Sequence, residues 1–158
     1  MEQQIRKYGS LNDLPTDYQK LFDSGEEDSF DLSRDWFLLL ETTVIQTKEI
    51  CIFTLKTEDV TQGIWPTLLQ KKGTFSPRQI SSFTCFYSSL YRPLISSSLT
   101  VDGLADCLKQ ILSDTRADVL RFNIMDPSQS GFDLHEQALK KIGFKTDRFF
   151  CWGNWYLP

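Results

Sequence analysis

The spacing of the apolar residues changes along this chain, and that change limits the folds that it can adopt. Between residues 50 and 57, apolar side chains follow the alternating pattern of a β-strand. After Thr100, a typical helix cap, apolar residues recur from Val101 to Leu112 at helical spacing. We therefore predict an α/β (α+β) domain with a mixed central sheet.

The same patterns, together with caps and turn residues, place the other elements. The predicted strands cover residues 3–10, 49–57, 61–72, 79–86, 118–125 and the segment from 144 to the end. The predicted helices cover residues 13–23, 34–45, the segment from 101 and 131–142, with an acidic loop at 23–29. A hairpin is expected to turn at Glu58 and Asp59, and Gly143 is expected to end a helix. Because proline lacks an amide hydrogen, Pro66 indicates a bulge or a strand away from the centre of the sheet.

Charge and length exclude several functional classes. The 158 residues fit one domain, with a formal net charge of −4 and no basic run longer than Lys71–Lys72, so no nucleic-acid partner is expected. The N-terminus lacks the apolar stretch of a signal peptide, and no segment approaches the ~20 apolar residues that cross a bilayer. These features predict a cytoplasmic protein without a membrane span.

The cysteines and the histidine do not form a metal-binding pattern. Four cysteines, at positions 51, 85, 107 and 151, are spread evenly without a CxxC pair, and His135 is the single histidine. Metal sites and disulfide frameworks usually show clustered spacing. We therefore predict reduced thiols in the core and no metal site.

The order of elements, β-α-α-β-β-β-α-β-α-β, points to a known family. Its most recognisable part is the segment Ala138-Leu139-Lys140-Lys141-Ile142-Gly143-Phe144, in which a helix ends with a Gly-Phe step into a strand. Over residues 3–156 this order resembles the GNAT superfamily of N-acyltransferases. The resemblance implies a mixed, mainly antiparallel central sheet with helices on both faces. It also implies acyl transfer from acyl-coenzyme A to an amine acceptor.

Three further segments resemble a narrower group. They are Trp36 in a helix after the acidic loop, Phe86-Tyr87-Ser88-Ser89-Leu90-Tyr91, and the ending Gly153-Asn154-Trp155-Tyr156-Leu157-Pro158. Together they are similar to the N-terminal half of FemAB-like and CelD-like acyltransferases, in which the second half carries the better-formed cofactor site. The resemblance implies that residues 1–158 are one GNAT-like domain of a longer tandem protein. The aromatic-rich final strand likewise predicts cover by a second GNAT-like domain or a second copy of the chain.

The cofactor loop departs from the family pattern. GNAT enzymes hold the pyrophosphate of coenzyme A on a Gln/Arg-x-x-Gly-x-Gly/Ala loop at a helix start, whereas residues 96–102 contain no glycine. Side chains there would crowd the phosphate, and Asp102 would repel it. The family's tyrosine acid falls on Leu139. The candidate contacts for acetyl-CoA or acyl-CoA are Phe83, Thr84, Cys85, Ser97, Ser98 and Thr100. We expect no strong binding of either cofactor.

Few residues suit the catalytic roles of an amine acyltransferase. Such an enzyme needs a base for the amine and an acid for the leaving thiolate. Glu49, Glu58 and Asp59 are candidate bases, but their positions at strand ends and turns favour the alternative that they are solvated carboxylates. His135 lies off the apolar line of its helix, which predicts a surface position rather than a catalytic one.

The segment after the third strand supplies the candidate acceptor site. Arg92 is suited to a carboxylate ligand and the rings of Tyr87 and Tyr91 to stacking, while Trp152 adds a further aromatic surface. The alternative is that the tyrosines pack beneath the loop and Arg92 pairs with a surface acid. The sequence thus predicts a GNAT-like domain that binds a small amine acceptor or supports a second domain, with weak or no activity by itself. A non-catalytic binding or scaffolding domain is the alternative.

Overall fold

The computed structural model describes residues 3–45, 49–71 and 76–150, which form one sheet covered by helices on both faces. The strands are β1 (Gln3–Tyr8), β2 (Glu49–Thr57), β3 (Val60–Lys71), β4 (Arg78–Ser82), β5 (Leu94–Ile95) and β6 (Val119–Arg121). The helices are α1 (Gln19–Asp28), α2 (Arg34–Thr43), α3 (Val101–Thr115) and α4 (Ser130–Lys141). Short 3-10 turns occupy Leu11–Asp13, Thr16–Tyr18 and Phe30–Leu32.

The sheet is mixed and mainly antiparallel, as predicted. Its strand order is β1-β2-β3-β4-β6, and β5 pairs with β3 beside β4. Among the described strands, only β4 and β6 pair in parallel, and the connection between them runs through β5 and α3.

Two apolar layers enclose the sheet. Phe53 and Trp65 pack on one face against α3 and α4, whereas Ile52 and Leu68 pack on the other face against α1 and α2. The central strands are therefore buried on both sides, which explains why β2 is apolar almost throughout. Helices on both faces are thus confirmed.

Helix α1 does not lie where the sequence predicted it. The expected helix at 13–23 begins only at Gln19, and the expected acidic loop at 23–29 is helical as far as Asp28. Gly25 explains the difference, since a Cβ atom there would lie 2.7 Å from Leu94 Cδ2. The glycine lets α1 approach β5 closely, and the acidic residues around it stay on the outer side of the helix.

The third predicted strand, at 79–86, is also shorter than expected. It ends at Ser82, the chain leaves the sheet over residues 83–93, and it returns as β5 on the same side of β3. Pro66 of β3 lies between the two paired stretches, and its carbonyl accepts hydrogen bonds from the Phe83 amide (3.3 Å) and the Tyr91 hydroxyl (2.7 Å). Since the N–H and C=O of a strand residue point to the same neighbour, the missing N–H of Pro66 falls at the interruption. β3 is nevertheless a central strand, so the prediction that Pro66 might mark a non-central strand was wrong.

Two turn predictions are confirmed. Glu58 and Asp59 form the β2–β3 turn with φ values of 51° and 64°, the left-handed conformation that a two-residue hairpin turn requires. Gly143 has φ 88° just after α4. The expected final strand is not seen over residues 144–150, which have no regular secondary structure, and its remainder lies outside the described residues. Among the described helices, none is long and apolar enough to cross a membrane.

Candidate functional site

The parallel strands β4 and β6 separate after a short pairing. Residues 79–81 of β4 pair with residues 119–121 of β6. Beyond them, the Asn123 amide donates a hydrogen bond to the Ser82 hydroxyl at 3.2 Å. Separating strands leave backbone groups that need other partners. The wedge that opens here, between the two strand ends, is the centre of the candidate site.

Tyr91 fills this wedge. Its amide donates to the carbonyl of Ile124 (3.0 Å), its hydroxyl reaches the Pro66 carbonyl, and its ring lies 5.8 Å from that of Phe122. The side chain is completely buried, and burial raises the pKa of the Tyr91 hydroxyl far above its ordinary value. The ring therefore cannot stack on a ligand while it holds this position. Of the two alternatives for Tyr91, the structure shows packing beneath the loop.

A large cleft of about 710 Å³ opens beside the wedge. Its apolar lining includes Phe122, Met125, Phe132 and Phe149. Its charged lining consists of Asp28, Asp126, Asp147 and Arg148. Three carboxylates and one guanidinium thus face a largely aromatic cavity.

The charges of the large cleft differ in how they are neutralised. Arg148 pairs with Glu136 and with Asp133 (3.4 Å), and its guanidinium lies 4.8 Å from the centre of the Phe132 ring. Asp126 accepts hydrogen bonds from the Ser128 amide and hydroxyl, both at 2.8 Å, and these bonds lower the pKa of the carboxyl. Within residues 3–45, 49–71 and 76–150, no ion pair joins Asp126 to a cation. The hydrogen-bond partners of Asp126 are thus neutral, and the positive charge of nearby Arg92 also lowers its pKa.

A small cleft of about 280 Å³ lies on the opposite side of Arg92. It is bounded by α1, by the loop that follows β5 and by the first turn of α4. Arg92 donates to Gln129 Oε1 (2.9 Å) and pairs with Asp28. Gln129 lines both clefts, whereas Asp28 lines only the large one and Arg92 only the small one. The Arg92 interaction thus separates the two cavities.

The loop of residues 96–100, beside the small cleft, is the place where the pyrophosphate of coenzyme A would have to bind. Ser96 and Ser98 share a hydrogen bond at 2.8 Å, and Ser98 also donates to Gln62. The Thr100 hydroxyl accepts from the Gly103 amide (3.2 Å), which occupies one donor at the start of α3.

The glycine at the start of α3 does not open space for a phosphate. A Cβ atom at Gly103 would lie 3.0 Å from Gln3 Nε2 and 3.3 Å from Leu99 Cδ1, so this glycine makes room for the protein itself. Asp102 in the first turn pairs with Lys141, which leaves the helix start without a free positive charge. The residues present therefore do not fit tight binding of the pyrophosphate.

The candidate cofactor contacts are not brought together. Phe83 is buried in the core against Phe37, at 5.9 Å between ring centres. Thr84 follows it outside the sheet, and Cys85 Sγ accepts from the Tyr87 amide (3.3 Å). Ser97 lines the small cleft, Ser98 bonds to Ser96 and Gln62, and Thr100 accepts from the Gly103 amide.

The candidate bases lie away from both clefts. Glu49 pairs with Lys7 at 2.9 Å, and the hydrogen bond from Lys7 lowers the pKa of its carboxyl, which makes it a weaker base. Glu58 and Asp59 are exposed in the hairpin turn. Among the candidate acceptor residues, Tyr87 is 76% exposed beside Phe86, and Trp152 lies outside the described residues.

His135 is not a surface residue, contrary to the sequence prediction. It is buried, its Nε2 accepts from the Trp65 indole N–H (2.9 Å), and its Nδ1 lies 2.6 Å from the Gly131 carbonyl, to which it donates. Burial lowers the pKa of His135 to about 4. The physical reason is that the buried indole needs an acceptor, which only the neutral ring supplies. The single buried Trp65 on a central strand was the signal that sequence reasoning did not use.

The prediction that the cysteines are reduced thiols in the core is confirmed for two of them. Cys51 and Cys107 are buried free thiols, and burial raises the pKa of Cys107 to about 12. Cys85 is free but half-buried, so it is not a core residue, and Cys151 lies outside the described residues. Among the residues that the structure describes, no group of His, Cys, Asp and Glu side chains is arranged to hold a metal ion.

Solved structures similar to this one are acetyltransferases and a protein of the mobile metagenome. No protein-family model and no curated protein sequence matches the chain. A probable acetyltransferase is 20% identical with a TM-score of 0.54, and the alignment covers 98% of this chain and 97% of the other. An integron cassette protein from V. cholerae is 11% identical with a TM-score of 0.57, covering 99% and 93%. An aminoglycoside N-acetyltransferase in complex with CoA is 10% identical with a TM-score of 0.51, covering 97% and 95%.

These similarities concern the fold, and the alignments cover almost the whole chain. The mixed sheet with its parallel β4–β6 pair and the helices on both faces agree with the GNAT fold of the acetyltransferases. The expected GNAT-like fold is thus confirmed. The narrower resemblance to the FemAB-like and CelD-like group stays a prediction.

Proposed function

We propose that this GNAT-fold domain binds a small amine in the large cleft, holds acyl-coenzyme A at most weakly, and therefore contributes acceptor binding rather than a complete N-acyltransferase site. One observation carries the proposal, the contrast between the two clefts. The large cleft is open and lined by aromatic rings and carboxylates. The small cleft ends at a loop whose own side chains use the hydrogen-bonding groups and the space that a phosphate needs.

The lining of the large cleft favours a cation. Asp126 has a lowered pKa and forms no ion pair among the described residues, and Arg92, whose charge also acts on it, is paired with Asp28. The nearby phenylalanine rings offer faces that attract ammonium groups. A protonated amine with an apolar or aromatic body matches both features.

The similar structures support the same class of ligand. The aminoglycoside N-acetyltransferase acts on an amine-bearing ligand by its name and contains CoA, and a second similar structure is a probable acetyltransferase. Their common fold is the reason to propose an amine acceptor here. The low identities leave the nature of the amine open, so the chemistry of the cleft has to supply the rest.

The described residues do not assemble an acid–base pair in the cleft. Both nitrogens of His135 are engaged in the core, Glu49 is paired with Lys7, and the position that carries a tyrosine acid in the family is Leu139. General acid–base catalysis needs a group with a suitable pKa within reach of the reacting atoms. Weak or absent acyl transfer by the isolated chain follows.

A non-catalytic binding or support domain is the second candidate. The donor-side loop favours it, because a domain that lacks a cofactor site can serve a neighbouring domain that has one. We propose a second GNAT-like domain, as in FemAB-like and CelD-like proteins, or a second copy of the chain as that neighbour. Light scattering of the 158-residue chain separates the two: a dimer supports the second copy, and a monomer supports a separate domain.

Calorimetric titration with spermidine, tryptamine and acetyl-CoA tests the proposal. We expect saturable binding of at least one amine, and no saturation by acetyl-CoA below about millimolar concentration. The Asp126→Asn variant removes the cleft carboxylate and should weaken amine binding about tenfold. Asp106→Asn is the matched control, since this exposed aspartate on α3 pairs with Lys109 at 3.5 Å. Equal loss in both variants, or micromolar binding of acetyl-CoA, contradicts the proposal.

A further inference from the structure

The segment that fills the wedge is held at two kinds of contact. One kind is buried: the Tyr91 amide and hydroxyl bond to the backbone of Ile124 and Pro66. The other kind lies at the surface, where the next residue, Arg92, reaches Asp28 at the end of α1 and Gln129 before α4. These three residues, Arg92, Asp28 and Gln129, are called the latch below. The buried contacts fix the segment, and the latch closes the opening above it.

We infer that the latch is a releasable wall between the two clefts, and that its opening joins them into one elongated site. The inference rests on the proposed function, because it assigns a regulation to the same pair of clefts. Gln129 lines both cavities, and Arg92 and Asp28 each line one. When Arg92 leaves Asp28, the wall loses its ion pair and the volumes of about 710 and 280 Å³ become continuous.

The weakness of the latch makes release feasible. The Asp28 side chain is 51% exposed and that of Arg92 is 20% exposed, so water screens their attraction. Asp28 is the last residue of α1, where the helix is least restrained, and Gln129 lies just before the first turn of α4. Each partner of Arg92 thus belongs to an element end, and no backbone hydrogen bond has to break for the ion pair to separate.

An extended ligand with a neutral middle part fits the joined site. Leu90 lines the large cleft, and Leu94 and Ser130 line the small one. Where the clefts meet, Arg92 and Asp28 carry opposite charges, so a neutral hydrogen-bonding group suits that part of the ligand better than an ion. The site would then accept a chain-like amide or thiol compound from the small cleft toward an amine in the large cleft. Pantetheine, the uncharged part of coenzyme A, is the probe of this class that avoids the unsuitable phosphate loop.

Two variants and a matched control test the latch. Asp28→Asn and Arg92→Met each remove the ion pair while they keep most of the side-chain volume. Asp17→Asn breaks the ion pair between Asp17 and Lys56, whose side chains are 45% and 20% exposed, close to the values for Asp28 and Arg92. Hydrogen–deuterium exchange of residues 88–93 reports the release, and nuclear magnetic resonance of added pantetheine reports the joined site.

We expect both latch variants to exchange about tenfold faster over residues 88–93 and to bind pantetheine at least about fivefold tighter than the wild type, with Asp17→Asn unchanged. Use of both variants guards against a charge effect, because one removes a negative and the other a positive group. Equal behaviour of all three variants overturns the inference. Spermidine binding by the wild type is measured in parallel. If spermidine binds while the latch variants show no effect, the latch inference fails and the proposed function stands. If spermidine does not bind and the latch variants show no effect, both are rejected.

Discussion

The large and the small cleft lie on either side of one arginine, yet they differ in what they can hold. The large cleft takes its lining from the segment after β6, from α4 and from residues 147–150. The small cleft takes its lining from α1, from the segment that ends in β5 and from the loop before α3. The sheet and the helices carry both, but the ligand-facing residues belong mainly to loops and element ends. One side of a shared fold can therefore lose its ligand chemistry while the other side keeps it.

The largest effect is expected where both clefts depend on the same support. His135 joins Trp65 of β3 to the first turn of α4, next to Gln129 and Phe132, which line the clefts. His135→Ala leaves a cavity and a buried indole N–H without an acceptor, so we expect a loss of about 3 kcal/mol or more in the free energy of unfolding. Denaturant unfolding measures it.

The control for this prediction is His135→Gln, which can still offer an acceptor to the indole. It should lose clearly less stability than His135→Ala. Amine binding and pantetheine binding should decline together in the alanine variant. A decline confined to one cleft would show that the clefts do not share this support.

Acid should weaken the same support. The folded protein holds His135 neutral, with a pKa of about 4 against about 6.5 in the unfolded chain, so its contribution is complete above about pH 6.5 and is lost as the pH falls toward 4. The difference corresponds to about 3 kcal/mol. Denaturant unfolding between pH 7.5 and 4 should show this slope in the wild type and a much smaller one in His135→Gln. Parallel slopes would mean that other groups, such as the carboxylates, cause the loss.

A smaller effect is expected in the wedge between the clefts. Tyr91→Phe keeps the ring against Phe122 but removes the hydroxyl that donates to the Pro66 carbonyl. Because the Phe83 amide also donates to this carbonyl, we expect a loss of only about 1 kcal/mol. Thermal unfolding measures it, with the exposed Tyr87→Phe as the control. A loss equal to that of the control would mean that the hydroxyl does not hold the segment in place.

The smallest effect concerns the phosphate loop. Replacing Ser97 and Asp102 together by glycine removes the exposed side chain and the carboxylate, but the hydrogen bonds of Ser96, Ser98 and Thr100 remain. We expect the affinity for acetyl-CoA to rise by less than about tenfold, or about 1.4 kcal/mol, in calorimetric titration. A greater gain would contradict the contrast between the two clefts, since two residues alone would then account for the weak binding of acetyl-CoA.

The fold was more predictable from the sequence than the site. β2, the β2–β3 turn and α3 followed from local spacing and turn residues, because their periodicity is long and regular. The departure of the chain at residues 83–93 did not, since it depends on Pro66, which is distant in sequence. The same holds for α1, whose extent is set by the contact of Gly25 with Leu94.

Individual site residues were the least predictable part. His135 lies off the apolar line of its helix, which suggested an exposed position, and for Tyr91 the sequence left open stacking on a ligand or packing beneath the loop. Each is buried with a partner on β3. Asp126 was not singled out, because a lone Asp-Pro step after a strand is a common turn signal. Its role in the large cleft depends on how residues 147–150 pack near it, which no local pattern reveals.

Mapping of both ligands by amide chemical shifts on one sample of the wild-type chain tests the central claim most directly. Spermidine should shift the amides of residues 122–132 around Asp126 in a saturable way, whereas acetyl-CoA should leave the amides of residues 96–103 unchanged up to about millimolar concentration. Saturable shifts at residues 96–103 with micromolar acetyl-CoA, and none near Asp126 with the amine, would contradict the account.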